Sequence, residues 1–243
     1  MTQPSLEDFL EAGAHFGHQA AKWHPSMRPY IYTERNTVHI IDLQQTQQKL
    51  ASAQEFIADV VAKDGTVLFV GTKKQAQKIV RKMAEAVGMP YVTERWLGGT
   101  FTNFDSIKKQ VAKMKELEAK RQSGELAKYT KKEQVAFDKE IERLNRFFGG
   151  LRTLYRLPEA VVVFDTHTDK NAIRESRRKK VPAVALCDTN SNADEVTYPI
   201  PTNDDAVKLL ELMAKSFQQA VEEGKKRKTV KSEAMAKGAV SKK

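Results

Sequence analysis

The sequence predicts an α/β protein built on a doubly wound, mostly parallel sheet, with an antiparallel two-helix hairpin inserted into it. Three observations carry this. Short, almost wholly apolar runs alternate with helical segments from Thr66 onward, the pattern of parallel strands covered on both faces. Residues 105–150 break that alternation with two long helical patterns around a glycine turn. The chain has 243 residues, 40% hydrophobic and 30% charged, enough to bury a sizeable core and too apolar for a wholly disordered chain.

In chain order, Ser5 caps a first helix over residues 6–12, with Asp8 three residues on and Gly13 as its stop. Residues 14–29 hold three histidines, Trp23 and two prolines and read as irregular. Residues 30–32 and 38–41 flank a hairpin turn at Glu34-Arg35-Asn36, and 43–62 is helical. Residues 66–70 then form a strand, 73–87 a helix ended by Gly88, and 91–93 a brief strand. Residues 160–164, 169–179 and 181–187 repeat strand, helix, strand, and a short apolar piece follows at 196–200. Asn203 caps a last helix to about Glu222, with Asp204 and Asp205 in its first turn. Within the insertion, Ile107, Val111, Met114 and Leu117 recur at helical spacing, Gly124 marks the turn, and Thr130 with Glu133 forms a capping box. Phe137, Ile141, Leu144, Phe148 and Leu151 alternate at four and three, a coiled-coil seam. The body thus spans 1–104 and 151–223, the hairpin 105–150, and the tail 224–243.

The net charge of +10 is unevenly spread. The tail carries +7 and the other 223 residues only +3; stretches 71–96 and 105–150 are each +4, while 1–70 is −3 and 151–223 is −2. Patches of positive charge are where a polyanion docks and releases counterions; a solvated lysine-rich tail is the plainer account of the tail itself. That tail lacks aromatics and apolar periodicity and reads as disordered. No apolar run reaches the roughly 18 residues of a membrane span, and the acidic N-terminus is not a secretory signal. A lone Cys187 excludes an intramolecular disulfide and a multi-cysteine zinc site. The expected setting is cytoplasmic, with no membrane partner.

Several motifs bear on chemistry. After strand 66–70, a helix opens with Lys73 and Lys74, which attract phosphate, but a single glycine meets neither the dinucleotide nor the P-loop pattern. His15-Phe16-Gly17-His18 has the HxGH letters of nucleotidylyl transferases, so an ATP-binding enzyme using His15 and His18 is the alternative reading; those enzymes place the motif between strand and helix, whereas here it follows a helix stop. No Gly-x-Ser-x-Gly is present and Cys187 lies inside an apolar strand, so no nucleophile has an evident base. Arg95-Trp96-Leu97-Gly98-Gly99-Thr100-Phe101-Thr102-Asn103-Phe104 combines glycines that expose backbone amides with a fixed charge and aromatics. Arg95, Gly98, Gly99, Thr100 and Asn103 are therefore candidates for a phosphate backbone, with the aromatics turned inward. Arg174, Arg177 and Arg178 share a helix face, and Lys179 and Lys180 follow, more cations than a helix end requires. Lys108, Lys109 and Lys113 at the hairpin base are further candidates. Residues 188–205 hold five acids and no base; His18, Asp188, Asp204 and Asp205 are candidate ligands of a structural divalent cation, and no other cofactor is expected.

RWLGGTFTNF, FLEAGAHFGH, RNTVHIIDL and PEAVVVFDTHTDKNAIRESRRKKVP together resemble the bacterial family of small-subunit ribosomal protein number two, from about residue 5 to about residue 223. The resemblance implies a flavodoxin-like body with a protruding helical hairpin. It implies binding of small-subunit rRNA at the head–body junction on the solvent side, and help in recruiting the largest small-subunit protein, which captures messenger RNA. It implies neither catalysis nor a small-molecule substrate.

Overall fold

The computed structural model describes residues 3–240, with side chains as far as Val230. A capping box opens the first helix, α1 (Leu6–Glu11): Asp8 N donates to Ser5 Oγ, and Ser5 N donates to the Asp8 carboxylate. The stretch expected to be irregular contains a strand, β1 (Phe16–Gln19). With β2 (Ile31–Arg35) and β3 (Val38–Ile41) it forms a small antiparallel sheet in the order β1–β3–β2. A glycine, a histidine and a register shift between Phe16 and Gln19 conceal β1 from an alternation test. The hairpin turns at Asn36 and Thr37, both at positive φ.

The body follows as α2 (Leu43–Ala62), β4 (Val67–Val70), α3 (Lys74–Val87), β5 (Tyr91–Val92), α4 (Phe104–Gln122), α5 (Lys131–Phe148), β6 (Ala160–Val163), α6 (Lys170–Arg178), β7 (Ala183–Cys187), β8 (Tyr198–Pro201) and α7 (Val207–Val240). Strands β4 to β8 are all parallel, in the order β5–β4–β6–β7–β8, which is the flavodoxin-like order. Because side chains alternate along a strand, each strand feeds two cores. Val67, Phe69, Ala160, Val162, Val184 and Leu186 pack with α2, α3 and α7. Leu68, Val70, Val161, Val163, Ala185 and Cys187 pack with α4, α5 and α6.

Helices α4 and α5 lie antiparallel, with Lys113 paired to Glu140 and Arg121 to Asp138. Thr130 and Glu133 make the expected capping box. Leu144, Phe148 and Leu151 pack into the body's core and Ile141 is also buried, whereas Phe137 is half-buried against Tyr129.

The last helix departs from expectation. It runs to Val240 instead of ending near Glu222, so tail residues 224–240 are helical; residues 241–243 lie outside the described residues. The start of the tail is tied to the body. Gly224 sits against α2, where a Cβ would come within 2.6 Å of the Ala58 carbonyl oxygen. Arg227 reaches Glu55 at 2.7 Å and Asp59 at 3.2 Å. Asn203 does not cap this helix: its Oδ1 accepts from Asp205 N and its Nδ2 donates to Gly13 O. Asp204 and Asp205 therefore precede α7 and are free to face the strand ends.

Candidate nucleic-acid interface

The carboxyl ends of β4 and β6 are where the strand order reverses, the usual ligand crevice of such sheets. Here the chain fills it with its own charges. Lys73 Nζ lies 2.6 Å from Asp205, 2.7 Å from Asp204 and 3.4 Å from Asp165. Burial disfavours the Lys73 ammonium, but the Asp204 and Asp205 hydrogen bonds outweigh it and raise its pKa well above the ordinary lysine range. The phosphate role expected of Lys73 is thus corrected: its ammonium is occupied by carboxylates. Burial, reinforced by the charges of Asp165 and Asp188, pushes Asp204 up to about 7. Burial also pushes Asp169 up to about 6, although Thr72 donates to it from N and Oγ1. At Asp165 burial is outweighed by hydrogen bonds from Thr168 and by the Lys73 charge, and its pKa falls.

His18 Nδ1 lies 3.0 Å from Asp188 Oδ2; that hydrogen bond raises the histidine's pKa against the effect of burial. The structure thus brings His18, Asp188, Asp204 and Asp205 into one crevice, interleaved with Lys73. Among the described residues, no group of three or more His, Cys, Asp or Glu is set to hold a metal ion. The HFGH letters have a packing reason. They run into β1, which is followed directly by a 3-10 turn over Ala20–Lys22 and by no α-helix, and His18 N donates to Thr189 Oγ1 at 2.8 Å. A Cβ on Gly17 would stand 2.6 Å from Thr189 Cγ2, so only glycine lets the small sheet dock this closely on the end of β7.

The loop 95–103 is an anion nest, as its glycines suggest, but its anion is internal. The Glu175 carboxylate accepts from Gly99 N at 2.8 Å, Phe101 N at 2.9 Å, Thr102 N at 3.0 Å, and Thr102 Oγ1 and Trp96 Nε1 at 3.1 Å. Burial raises the Glu175 pKa, and the amides of Thr102, Gly99 and Phe101 with the Trp96 indole outweigh it, so the net shift is downward. Gly99 and Thr100 therefore do not offer a phosphate nest to solvent; Thr100 is buried and its Oγ1 donates to Leu97 O. Trp96 and Phe101 meet edge to face in the core, ring centroids 5.0 Å apart. Asn103 Oδ1 accepts from Ser106 Oγ. Arg95 and Gly98 stay exposed.

Glu175 joins this loop to α6, whose outer side carries Arg174, Arg177, Arg178 and Lys179, all exposed. Arg177 stands 3.9 Å from Glu195; among the described residues Arg174, Arg178 and Lys179 have no ion-pair partner. Lys74, at the start of α3, and Lys108 and Lys109, at the foot of α4, are also exposed, whereas Lys113 is engaged by Glu140. Sequence reasoning missed Glu175, Asp165 and Asp169. For Glu175 a signal existed: it is the one acid on α6 and neighbours Ala172 and Ser176, which form the buried side.

The family described as Ribosomal protein S2 matches residues 9–224. The small ribosomal subunit protein uS2 of Acidothermus cellulolyticus is 48% identical over 225 residues, covering 92% of this chain and 82% of the relative. That of Roseiflexus sp. is 47% identical over 224 residues (92% and 86%), and that of Corynebacterium urealyticum 45% over 241 residues (98% and 89%). On a match that spans both cores, the crevice, the nest and α6, the chain belongs to the ribosomal protein S2 family.

Proposed function

We propose that the chain is a structural constituent of the small ribosomal subunit that binds its rRNA in the cytoplasm, without catalysing a reaction. One observation carries the reading: α6 is anchored through buried Glu175 while Arg174, Arg178 and Lys179 project outward with no ion-pair partner in the described structure. Cations held on a rigid element lose less freedom on binding and keep their full charge for phosphates. Arg95 and Gly98 beside the nest, Lys74, and Lys108 with Lys109 are separate contacts whose spacing the body holds. The family resemblance supports a place at the head–body junction on the solvent side, among other small-subunit proteins including the largest, mRNA-capturing one.

The test is co-sedimentation of the full chain with small subunits lacking this protein, across a salt series. Arg177→Ala with Arg178→Ala should weaken binding by about a few kcal/mol at most and reduce the salt slope by about 2. An unchanged slope rejects the phosphate role of this face. ATP-dependent pyrophosphate exchange by the purified chain would instead favour an enzyme at His15 and His18.

A further inference from the structure

Beside the amino-terminal end of α6 lies a cavity of about 250 Å³ that shares Arg174 with the cationic face described above and is otherwise lined mostly by residues given no role so far. It is smaller than the roughly 300–1,000 Å³ of sites that take drug-sized ligands, so it suits a single ring system. Ile173 and Val196, both nearly fully buried, supply apolar surface. Asn190, Asn192 and His24 supply hydrogen-bonding groups. Their acceptors are already engaged: Asn190 Oδ1 accepts from Ser191 Oγ, Asn192 Oδ1 from Asp194 N, and His24 Nδ1 from Ser26 N. What remains is a set of donors, the two amide groups and His24 Nε2–H, with no partner among the described residues. Lys170 and Arg174 line the same cavity one helical turn apart, exposed and without ion-pair partners in the described structure. Glu195, the one acid on the lining, stands 3.9 Å from Arg177.

A larger cleft, 750 Å³ between α3 and α5, offers no such surplus. Its Arg81 is paired with Glu85, Arg146 with Glu94 and Arg152 with Glu118.

We propose that the α6 cavity takes one unstacked nucleobase of a single-stranded rRNA segment, with its flanking phosphates on Lys170 and Arg174. Single-stranded RNA is read by splaying bases into protein pockets and bonding their edges. A wall of donors favours a base edge rich in acceptors, the carbonyl edge of uracil or the O6/N7 edge of guanine, over adenine, whose N6 brings a competing donor. The inference rests on the rRNA reading above and adds to it a base-specific contact.

Two measurements test it. In the first, the full chain is titrated with UMP, GMP, AMP and ribose 5-phosphate while the ring signals of His24 and of His167, which also lines the cavity, are followed by NMR. UMP and GMP should shift both rings and compete with each other, with AMP at least several-fold weaker. Equal shifts from ribose 5-phosphate, or none from any nucleotide, overturn the proposal. In the second, Asn190→Trp fills the cavity without changing charge. It should lower affinity for protein-depleted small subunits about tenfold at an unchanged salt slope, whereas Lys170→Ala with Arg174→Ala should lower the slope by about 2. If Asn190→Trp binds as wild type while the double alanine variant loses slope, the cavity proposal falls and the rRNA reading stands. If wild type itself does not bind the subunits, the rRNA reading falls. Should Asn190→Trp not fold, the nucleotide titration on wild type decides alone.

Discussion

The strand-end crevice and the outer face of α6 both draw on lysines or arginines that look alike in the sequence, and the fold treats them oppositely. In the crevice, the Lys73 ammonium meets Asp165, Asp204 and Asp205, brought from the ends of other strands. On α6, Arg174, Arg178 and Lys179 find no acid in the described structure, and Arg177 finds one only at 3.9 Å. A cation already held by carboxylates has its attraction spent inside the molecule, whereas an unpaired one on a rigid element keeps it for an external anion. The division runs through α6 itself. Glu175 turns inward and closes a nest of amides, and the arginines around it turn out.

Breaking the inward member should cost the most. Lys73→Met removes the ammonium and leaves Asp165 and Asp204 buried and unpaired, a loss of about 3–5 kcal/mol at pH 8 in denaturant unfolding. The loss should shrink at pH 5. Asp204 has a folded value of about 7 against an ordinary 3.8, so between those values the folded state holds the extra proton and stability falls as pH rises. At pH 5, inside that window, the folded carboxyl is already neutral and needs Lys73 less; equal losses at pH 5 and pH 8 would contradict this.

Glu175→Gln should cost about 2–4 kcal/mol, because one amide oxygen cannot serve all the donors and the new NH₂ opposes them. The Glu175 pKa is lowered by folding, so its contribution is present above the ordinary glutamate range and lost as pH falls through the folded value; the Gln variant should lack that acid-side loss. Simple electrostatics says that removing a negative charge strengthens RNA binding. Weaker binding, at a temperature where the variant remains folded, would identify Glu175 as a positioning residue for α6.

These contrasts explain what the sequence discloses. Strands β4, β6 and β7 are legible because fully buried parallel strands are continuous apolar runs, and α1, α3 and α5 because Ser5, Gly88 and Thr130 mark their ends. Strand β1 is hidden because docking selects its residues: Gly17 for close approach to Thr189, His18 for Asp188. The density of charge in the site is readable, but its direction depends on which distant acid arrives. Lys73 and Lys74 are adjacent in sequence, yet Lys73 turns in to reach Asp165, Asp204 and Asp205 while Lys74 stays exposed. The nest was legible as an anion site, and its glycines cannot say whether the anion is a phosphate or a glutamate 76 residues away from Gly99.

A smaller effect separates the structured start of the tail from a solvated one. Alanine is ordinarily better than glycine in a helix by about 1 kcal/mol, so Gly224→Ala would stabilise a helix that packs on nothing. Here the added methyl meets the Ala58 carbonyl at 2.6 Å and Val61 Cβ at 2.7 Å, and overpacking against backbone costs about 1–3 kcal/mol. A net destabilisation is expected in thermal melts; a rise in Tm would mean that α7 does not pack on α2 there.

The smallest expected change in stability belongs to the face with the largest expected effect on RNA. Arg177→Ala with Arg178→Ala touches one long ion pair and no buried group, so unfolding should shift by no more than about 0.5 kcal/mol. Both arginines lie in the last turn of α6, where cations favour the helix dipole. If that local role were their purpose, stability would fall and the salt slope of RNA binding would hold. The outward geometry requires the reverse, a protein as stable as before that releases fewer counterions when it binds.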